Sequence, residues 1–165
     1  MSGSLARTAL IVVVPEAEPA VGELRRSHDW SAARGVPAHV TVLFPFVDSD
    51  EVDEAALAEL LAAQQAFDFA LDRVERFAAG TVWLHPEPSA PFAQLTAAVW
   101  TRWPERPPYE GMHDTVVPHL TVSETPIDVD VTLPIASRAE EVTLIQEGAD
   151  GNWSCRRAFP LGGTA

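Results

Sequence analysis

A five-residue pattern occurs twice in this chain, and it constrains the fold more than any other feature of the sequence. Residues 38–42 read AHVTV and residues 118–122 read PHLTV. Side chains at i and i+2 of a strand point to the same face, so each copy predicts an imidazole beside a hydroxyl, with apolar neighbours turned into the core. About 0.07 copies of such a pattern are expected by chance. The two copies therefore indicate two related strands whose His-Thr pairs face each other if the strands lie side by side.

The residues around the two copies predict a mixed α+β order. The apolar run 9–14 predicts a buried first strand, and the spacing in 19–30 predicts a helix with Pro19 in its first turn. Residues 31–38 and 105–114 are predicted loops, and 128–137 fits neither pattern. The other predicted elements are strands at 39–47, 67–77, 81–85, 116–123, 141–147 and 152–159 and helices at 53–65 and 90–103.

The charge of the chain limits its partners and its chemistry. Eleven basic residues against 24 acidic ones give a net charge of −13, and all eleven are arginine. Long nucleic acids are expected to be repelled, because binding them depends on basic side chains that release counterions from many phosphates, whereas one small anion remains compatible with the chain. The absence of lysine excludes a Walker A loop, a Schiff-base lysine and a lysine nucleophile. ATP-dependent mechanisms are therefore not expected.

Cysteine content and hydropathy bear on compartment and organisation. The single Cys155 excludes an intramolecular disulfide and a cysteine-rich zinc site. No apolar run approaches the roughly 20 residues that span a bilayer, and the run 9–14 is too short for a signal peptide. We therefore expect a cytoplasmic protein without membrane contact. The length of 165 residues predicts a single domain covering 1–165, and we expect a monomer.

The two His-Thr pairs supply the groups that opening a 2′,3′-cyclic phosphate requires. The reaction needs a base for water, an acid for the leaving ribose oxygen and donors for the phosphoryl oxygens. An unperturbed histidine titrates near pH 6.5, so one imidazole can be neutral while the other is protonated. We predict that His39 and His119 are catalytic and that Thr41 and Thr121 bind phosphate. The residues alone do not distinguish acid from base, nor hydrolysis from the reverse ligation; our working assignment has His119 as base and His39 as acid.

Other side chains are candidates for contacts around such a site. Phe44, Tyr109 and Trp153 are candidates for stacking on a nucleobase. Arg34 and Arg106 are candidates for positive charge at the rim of the cleft. A metal site would need His85, or His113 with Asp114, to join His119, but these spacings match no known ligand pattern. We therefore predict no metal and no cofactor.

Taken together, the sequence resembles the two-histidine (2H) phosphoesterase superfamily, in the branch of 2′-5′ RNA ligase-like proteins and cyclic phosphodiesterases. The resemblance rests on the two His-x-Thr motifs, their separation, the N-terminal strand-helix unit and the loop containing Pro107, Pro108 and Tyr109. It implies a bilobal α+β fold with pseudo-two-fold symmetry, in which two antiparallel-rich sheets line a metal-free central cleft and helices lie outside. His39 and His119 match the family's catalytic histidines, and Thr41 and Thr121 match its phosphate-binding hydroxyls.

The expected substrate is a small nucleotide or a short RNA end, since this chain departs from the family pattern in having no lysine and a strongly acidic balance. Two alternatives stay open. One is a non-catalytic module that holds a nucleotide or a protein ligand in the same cleft, and the other is a metal-dependent phosphodiesterase. Complete His-Thr pairs favour the enzyme, because a pure binder has no need of two facing titratable groups. Sensitivity to a chelator would separate the metal-dependent alternative.

Overall fold

The computed structural model describes residues 6–111 and 116–162, which contain eight strands and four helices. The strands are β1 (Thr8–Val13), β2 (His39–Leu43), β3 (Phe67–Arg76), β4 (Val82–Glu87), β5 (Leu120–Ser123), β6 (Ile135–Ala139), β7 (Glu141–Glu147) and β8 (Trp153–Pro160). The helices are α1 (Glu18–His28), α2 (Trp30–Ala33), α3 (Glu54–Ala62) and α4 (Ala90–Arg102), and 3₁₀ turns cover Pro15–Ala17, Ser49–Glu51 and Pro108–Gly111. The predicted α+β class is confirmed.

The strands form two four-stranded antiparallel sheets. Sheet one has the order β2-β1-β7-β8 and so joins both ends of the described chain, whereas sheet two, β5-β4-β3-β6, is built from its middle. Each of the two motif strands, β2 and β5, lies at an edge of its own sheet. These two edges contact each other. The bilobal arrangement implied by the resemblance is therefore present.

The alternation predicted for the motif strands agrees with their burial. Val40 and Val42 on β2 are 0% and 2% exposed, and Leu120 and Val122 on β5 are both 0% exposed. The intervening histidines and threonines are only partly buried. On sheet one, His39 pairs with Val13 and Thr41 with Ile11, so these four side chains share a face, which we call the cleft face.

One apolar core spans both sheets and reaches the helices. It includes Leu10 of β1, Leu84 of β4 and Phe92 of α4. The helices also cross between the sheets: α1, which follows β1, packs against β5, and α4, which follows β4, packs against β2. The Thr96 hydroxyl of α4 donates to the Val42 carbonyl oxygen at 2.6 Å. This exchange of helices holds the two motif strands together.

Several element boundaries differ from the prediction for local reasons. Residues 31–38, predicted as a loop, begin with α2, because the Asp29 carboxylate accepts a hydrogen bond from the Ser31 N–H (3.0 Å) and caps a helical turn. Strand β2 ends at Leu43 instead of residue 47, and β5 begins at Leu120 instead of residue 116. Pro45 and Pro118 lie near these ends and have no N–H for a strand ladder.

Strand β6 falls partly within the segment that fitted neither pattern, and it pairs with β3. Residues 135–139 form a strand because they pair with β3, and a short local sequence does not specify such pairing. Helix α3 is shorter at both ends than the predicted helix 53–65. Helix α1 ends earlier than the predicted helix 19–30. No helix within residues 6–111 and 116–162 has the length and apolar character needed to cross a membrane.

Candidate active site

The two His-Thr pairs lie where the edges of the two sheets meet. Because β2 contacts β5, residues 39–41 and 119–121 come together although about half the chain separates them. The charge of His119 acts on His39 and contributes to lowering its pKa, which places the two imidazoles within electrostatic reach. All four side chains are partly exposed. The structure therefore brings together the residues that the sequence selected as the centre of the site.

Each imidazole is held by a hydrogen bond to the backbone carbonyl two residues earlier. The Nδ1 atom of His39 lies 2.7 Å from the Pro37 carbonyl oxygen, and Nδ1 of His119 lies 2.6 Å from the Val117 carbonyl oxygen. A carbonyl oxygen only accepts hydrogen bonds, so Nδ1 must carry the hydrogen in each ring. Nε2 is then the atom of each ring that can exchange a proton with a ligand.

The surroundings of His39 disfavour its charged form. Its pKa is lowered to about 4, chiefly because burial removes solvent from the imidazolium. The positive charge of Arg25 lowers the pKa further, whereas the hydrogen bond to Pro37 and the charge of Asp29 raise it. At neutral pH His39 is therefore a neutral imidazole with Nε2 able to accept a proton.

A buried ion pair supports the loop that leads to His39. Arg25 Nε lies 3.1 Å from Asp29 Oδ2, and both side chains are 2% exposed. Arg25 also donates to the Val36 carbonyl oxygen and to the Ser31 hydroxyl, each at 3.1 Å. Such hydrogen bonds are what a buried ion pair needs to offset the loss of solvent. This pair is not among the predicted site residues, although Arg and Asp at i and i+4 near the end of the predicted helix 19–30 indicate it.

His119, unlike His39, packs against two aromatic rings. Phe77 and Trp83 stack with ring centroids 4.8 Å apart, and the His119 ring packs edge to face at 5.0 Å from Phe77 and 5.8 Å from Trp83. Trp83 lies directly opposite Thr121 on the neighbouring strand. Its indole Nε1 is buried and has no hydrogen-bond partner among the described residues. Sequence reasoning missed these two aromatic residues because neither is near a motif in the chain.

Tyr109 reaches the site from the turn that precedes the second motif. Its hydroxyl forms a hydrogen bond with the Thr41 side chain, and its N–H donates to the Phe44 carbonyl oxygen at 2.6 Å. Burial raises the pKa of the phenol, and the hydrogen bond with Thr41 acts in the opposite direction. Tyr109 therefore belongs to the site, but the contact that the structure shows is to a motif hydroxyl. A stacking role remains a prediction.

Phe44 and Trp153 pack against each other at the border of the cleft face. Their ring centroids lie 5.9 Å apart in an edge-to-face arrangement, and the Arg7 guanidinium lies over both rings at 5.6 and 5.7 Å. Trp153 also lines a shallow pocket of about 160 Å³ beside His39. Side chains that line this pocket with it include Ile11, Val13, Val36, Pro37 and Ile145.

The two candidate rim arginines make other contacts. Arg34 donates to the Gly151 carbonyl oxygen at 3.4 Å and accepts from the Trp153 N–H at 2.8 Å through its own carbonyl, so it ties the loop before β2 to the β7–β8 hairpin. Arg106 lies 3.6 Å from an Asp48 carboxylate oxygen and 3.9 Å from one of Glu51. In the described part of the chain, both arginines contact these groups instead of the His-Thr pairs.

One cluster of described residues has the composition of a metal site. Ligand atoms of Asp72, His85 and Glu87 lie within 4.8 Å of one another on sheet two. His85 Nδ1 forms a hydrogen bond with Asp72 Oδ1 at 2.8 Å, and the carboxylates of Asp72 and Glu87 are exposed. The cluster does not include His119, and His113 and Asp114 lie outside the described residues.

Comparison with known proteins supports the same family as the motifs. A family model described as the 2′-5′ RNA ligase superfamily matches residues 13–157. The crystal structure of E. coli LigT complexed with 3′-AMP is similar over 97% of this chain and 100% of its own, with a TM-score of 0.71 and 17% identity.

The crystal structure of TT0787 from Thermus thermophilus is similar over 96% and 100% of the two chains, with a TM-score of 0.63 and 18% identity. A search of curated proteins finds no significant relative. At these identities the solved structures establish the fold, whereas the family model covers most of the chain. This protein belongs to the 2′-5′ RNA ligase superfamily, whose members are two-histidine phosphoesterases.

Proposed function

We propose that this protein is a metal-independent phosphoesterase that opens a 2′,3′-cyclic phosphate, or a related ribose cyclic phosphate or 2′-5′ linkage, on a nucleotide or short RNA end. The observation that carries the proposal is the pair of Nδ1-anchored imidazoles, each beside a threonine hydroxyl, on two strand edges in contact. Structures of E. coli LigT complexed with 3′-AMP, ATP and NADP⁺ support a small nucleotide as the ligand class. The net charge of −13 argues against long nucleic acids.

In the proposed reaction, the cyclic phosphate lies between the two Nε2 atoms. Thr41 and Thr121 donate hydrogen bonds to its non-bridging oxygens, where negative charge develops. A neutral imidazole takes a proton from water as the water oxygen bonds to phosphorus. The bond from phosphorus to one ribose oxygen breaks, and the protonated imidazole gives its proton to that oxygen. Attack by a ribose hydroxyl instead of water follows the same steps and yields ligation.

The environments of the imidazoles favour the reverse of the working assignment made from sequence. His39 is neutral at pH 7 in the free protein, which is the form that a general base needs. His119 packs against Phe77 and Trp83, and its positive charge contributes to lowering the pKa of His39. We therefore propose His39 as the base and His119 as the acid for hydrolysis.

The two sheets offer different surfaces to the rest of a nucleotide. Next to His39, the pocket lined by Trp153 and Ile11 is mostly apolar. Next to His119, sheet two carries the charged and polar side chains of Arg73, His85 and Glu87. A nucleobase is an apolar ring system with a polar edge, so we propose that it lies on sheet one against Trp153, with Phe44 supporting that ring.

A panel of substrates assayed in EDTA tests the proposal. The panel contains the four 2′,3′-cyclic mononucleotides and a 2′-5′-linked dinucleotide, with product identity read by ³¹P NMR. Turnover of at least one substrate in EDTA is expected. Turnover that EDTA abolishes and a divalent metal restores would favour the metal-dependent alternative, for which Asp72, His85 and Glu87 are the candidate ligands. Tight binding of a nucleotide without turnover would favour a binding module.

A further inference from the structure

Sheet one carries buried apolar side chains on both of its faces. On one face, Leu10 and Leu144 belong to the main core, which spans both sheets. On the cleft face, Ile11 and Ile145 belong to a separate small cluster, against which Trp153 packs. These three side chains of the small cluster line the pocket of about 160 Å³ described above. The pocket therefore lies on an apolar surface that the main core does not use.

One buried polar side chain also lines this pocket. Thr143 of β7 is 6% exposed and lies among the apolar side chains of the pocket. Within the part of the chain that the structure describes, its hydroxyl makes no hydrogen bond. A buried hydroxyl without a partner destabilises a folded protein, whereas valine has nearly the same shape without that cost. The Thr143 hydroxyl is therefore available to a ligand that enters the pocket.

The register of sheet one places Thr143 in line with the first motif. Ile11 pairs with Thr41 on one side and with Thr143 on the other. Neighbouring strands lie about 4.8 Å apart, so the two threonines share a face and lie about 10 Å apart across the sheet. The pocket is also lined by Pro37, whose carbonyl oxygen holds His39 Nδ1. A nucleotide with its phosphate at His39 and Thr41 can therefore place its base beside Thr143, with the ribose between them.

The size of the pocket matches a single ring. Its volume is about 160 Å³, and an apolar cavity of about 150 Å³ is large enough to bind benzene. A pyrimidine base has one six-membered ring with a polar edge, whereas a purine has a second fused ring. A threonine hydroxyl donates one hydrogen bond and can accept others, so it can bind the polar edge of either cytosine or uracil.

We propose that this pocket is a subsite for a pyrimidine base and that Thr143 is a specificity-determining residue, which forms a hydrogen bond with the polar edge of the ring. This inference rests on the proposed function, which makes a nucleotide the ligand. The apolar side chains bind the ring, and the hydroxyl selects a ring with a polar edge, because a ligand without one would leave the hydroxyl unpaired.

Protection of Cys155 from alkylation measures occupancy of the pocket. Cys155 is the only cysteine in the sequence, is exposed and lines the same pocket. The ligands are the 3′-phosphates of cytidine, uridine, adenosine and guanosine, which have no cyclic phosphate to open, and ribose 3-phosphate, which has no base. The rate at which N-ethylmaleimide reacts with the full chain, read by mass spectrometry at increasing ligand concentration, gives the dissociation constant of each ligand.

The two pyrimidine nucleotides are expected to protect Cys155 at concentrations about tenfold lower than the purine nucleotides, because the pocket does not hold the second ring. Ribose 3-phosphate should not protect it. Thr143→Val should weaken binding of the pyrimidine nucleotides about fivefold, which is the effect of one lost hydrogen bond. Thr143→Ser is the matched control, because it keeps the hydroxyl and should bind these nucleotides more tightly than Thr143→Val does.

Unfolding temperatures separate a loss of binding from a loss of stability. Because valine removes a buried hydroxyl that has no partner among the described residues, Thr143→Val should unfold at the wild-type temperature or above it. The proposal is wrong if pyrimidine nucleotides leave the alkylation rate unchanged or if purine nucleotides or ribose 3-phosphate protect as well as they do. Equal affinity of Thr143→Val and Thr143→Ser for pyrimidine nucleotides would also overturn it.

These measurements use binding alone, so their outcome is separate from that of the turnover assay. Protection by pyrimidine nucleotides without turnover of any cyclic nucleotide would contradict the phosphoesterase function and support the base subsite. Turnover of cyclic nucleotides without protection of Cys155 would support the phosphoesterase function and contradict the base subsite.

Discussion

At the scale of single residues, the two histidines make the same backbone hydrogen bond but have different neighbours. Both use Nδ1 to hold a backbone carbonyl two residues earlier. His39 is desolvated beside a buried ion pair, and His119 packs on Phe77 and Trp83. The difference predicts separate roles for two residues that look identical in the repeated motif.

The first prediction separates these roles by the leaving group. His39→Ala and His119→Ala should each lower kcat/KM for a 2′,3′-cyclic nucleotide by at least about 100-fold. With a nitrophenyl phosphodiester, the leaving nitrophenolate needs no proton, so His119→Ala should recover most of the loss and His39→Ala should not. Rates on both substrates, measured side by side, give the answer. Recovery in His39→Ala alone would restore the opposite assignment.

The second prediction concerns stability between pH 4 and pH 6.5. The unfolded chain binds a proton at His39 with a pKa near 6.5, whereas the folded protein binds it only near 4. The contribution of neutral His39 to the free energy of unfolding is therefore fully present above pH 6.5. It is lost as the pH falls from 6.5 to 4, and the loss is about 3 kcal/mol. Urea unfolding at several pH values measures the slope.

His39→Asn keeps an N–H donor for the Pro37 carbonyl and removes the titrating group, so this part of the slope should disappear. His28→Asn makes the same replacement at an exposed histidine outside the motifs and serves as the control for the substitution itself. A wild-type slope that survives in His39→Asn would show that other groups cause it.

At the scale of elements, β1, the loop before β2 and the β7–β8 hairpin together line the apolar pocket beside His39. Arg34 and Trp153 connect the two segments through hydrogen bonds. Gly35 and Gly151 both have positive φ angles at this contact, and a Cβ atom at Gly151 would lie against the Arg34 guanidinium. The pocket therefore depends on contacts between segments more than 110 residues apart, together with Ile11 and Val13 of β1.

The third prediction tests the nucleobase in this pocket. Trp153→Ala should lower kcat/KM for cyclic mononucleotides roughly tenfold, because stacking on an aromatic ring contributes about 1–3 kcal/mol per base. Trp153→Phe should retain most of the activity. A cyclic phosphate without a base, such as glycerol cyclic phosphate, should be turned over equally by wild type and Trp153→Ala. An equal loss on both substrates would mean that Trp153 supports the fold and not the base.

At the scale of the whole molecule, the chain is strongly acidic, and the proposed ligand carries a single phosphate. With a net charge of −13, long-range attraction of a polyanion is absent, and local donors must bind the phosphate. The helices that cross between the sheets, α1 and α4, each pack against a motif strand of the other sheet. We expect the two lobes to act as one unit because a single core cluster spans both sheets.

The fourth prediction is a shallow dependence of kcat/KM on salt. A substrate that engages one phosphate should give a slope of log(kcat/KM) against log[salt] of about −1 or smaller in magnitude. Turnover should also be unchanged in EDTA. A slope of several units would show that many phosphates are contacted, and the small-nucleotide assignment would then be wrong.

Local patterning predicted most of the elements, because strand alternation and helical spacing are properties of neighbouring residues. The two motif strands, their buried valines and leucines, and the α+β order all follow from it. It did not predict α2, which depends on the Asp29 cap, or β6, which depends on pairing with β3. The family resemblance supplied the two-sheet architecture, which periodicity alone does not specify.

The sequence by itself determined the chemistry available at the site: two imidazoles, two hydroxyls, no lysine and a strongly acidic chain. It also determined which faces of the two motif strands carry these groups, because a strand has a period of two. Only the tertiary structure decided how the groups differ. The contacts of Tyr109 with Thr41, of Phe77 and Trp83 with His119, and of Arg25 with the loop before His39 all join residues from different elements. Such contacts depend on how the sheets and helices pack, which no local pattern in the chain records.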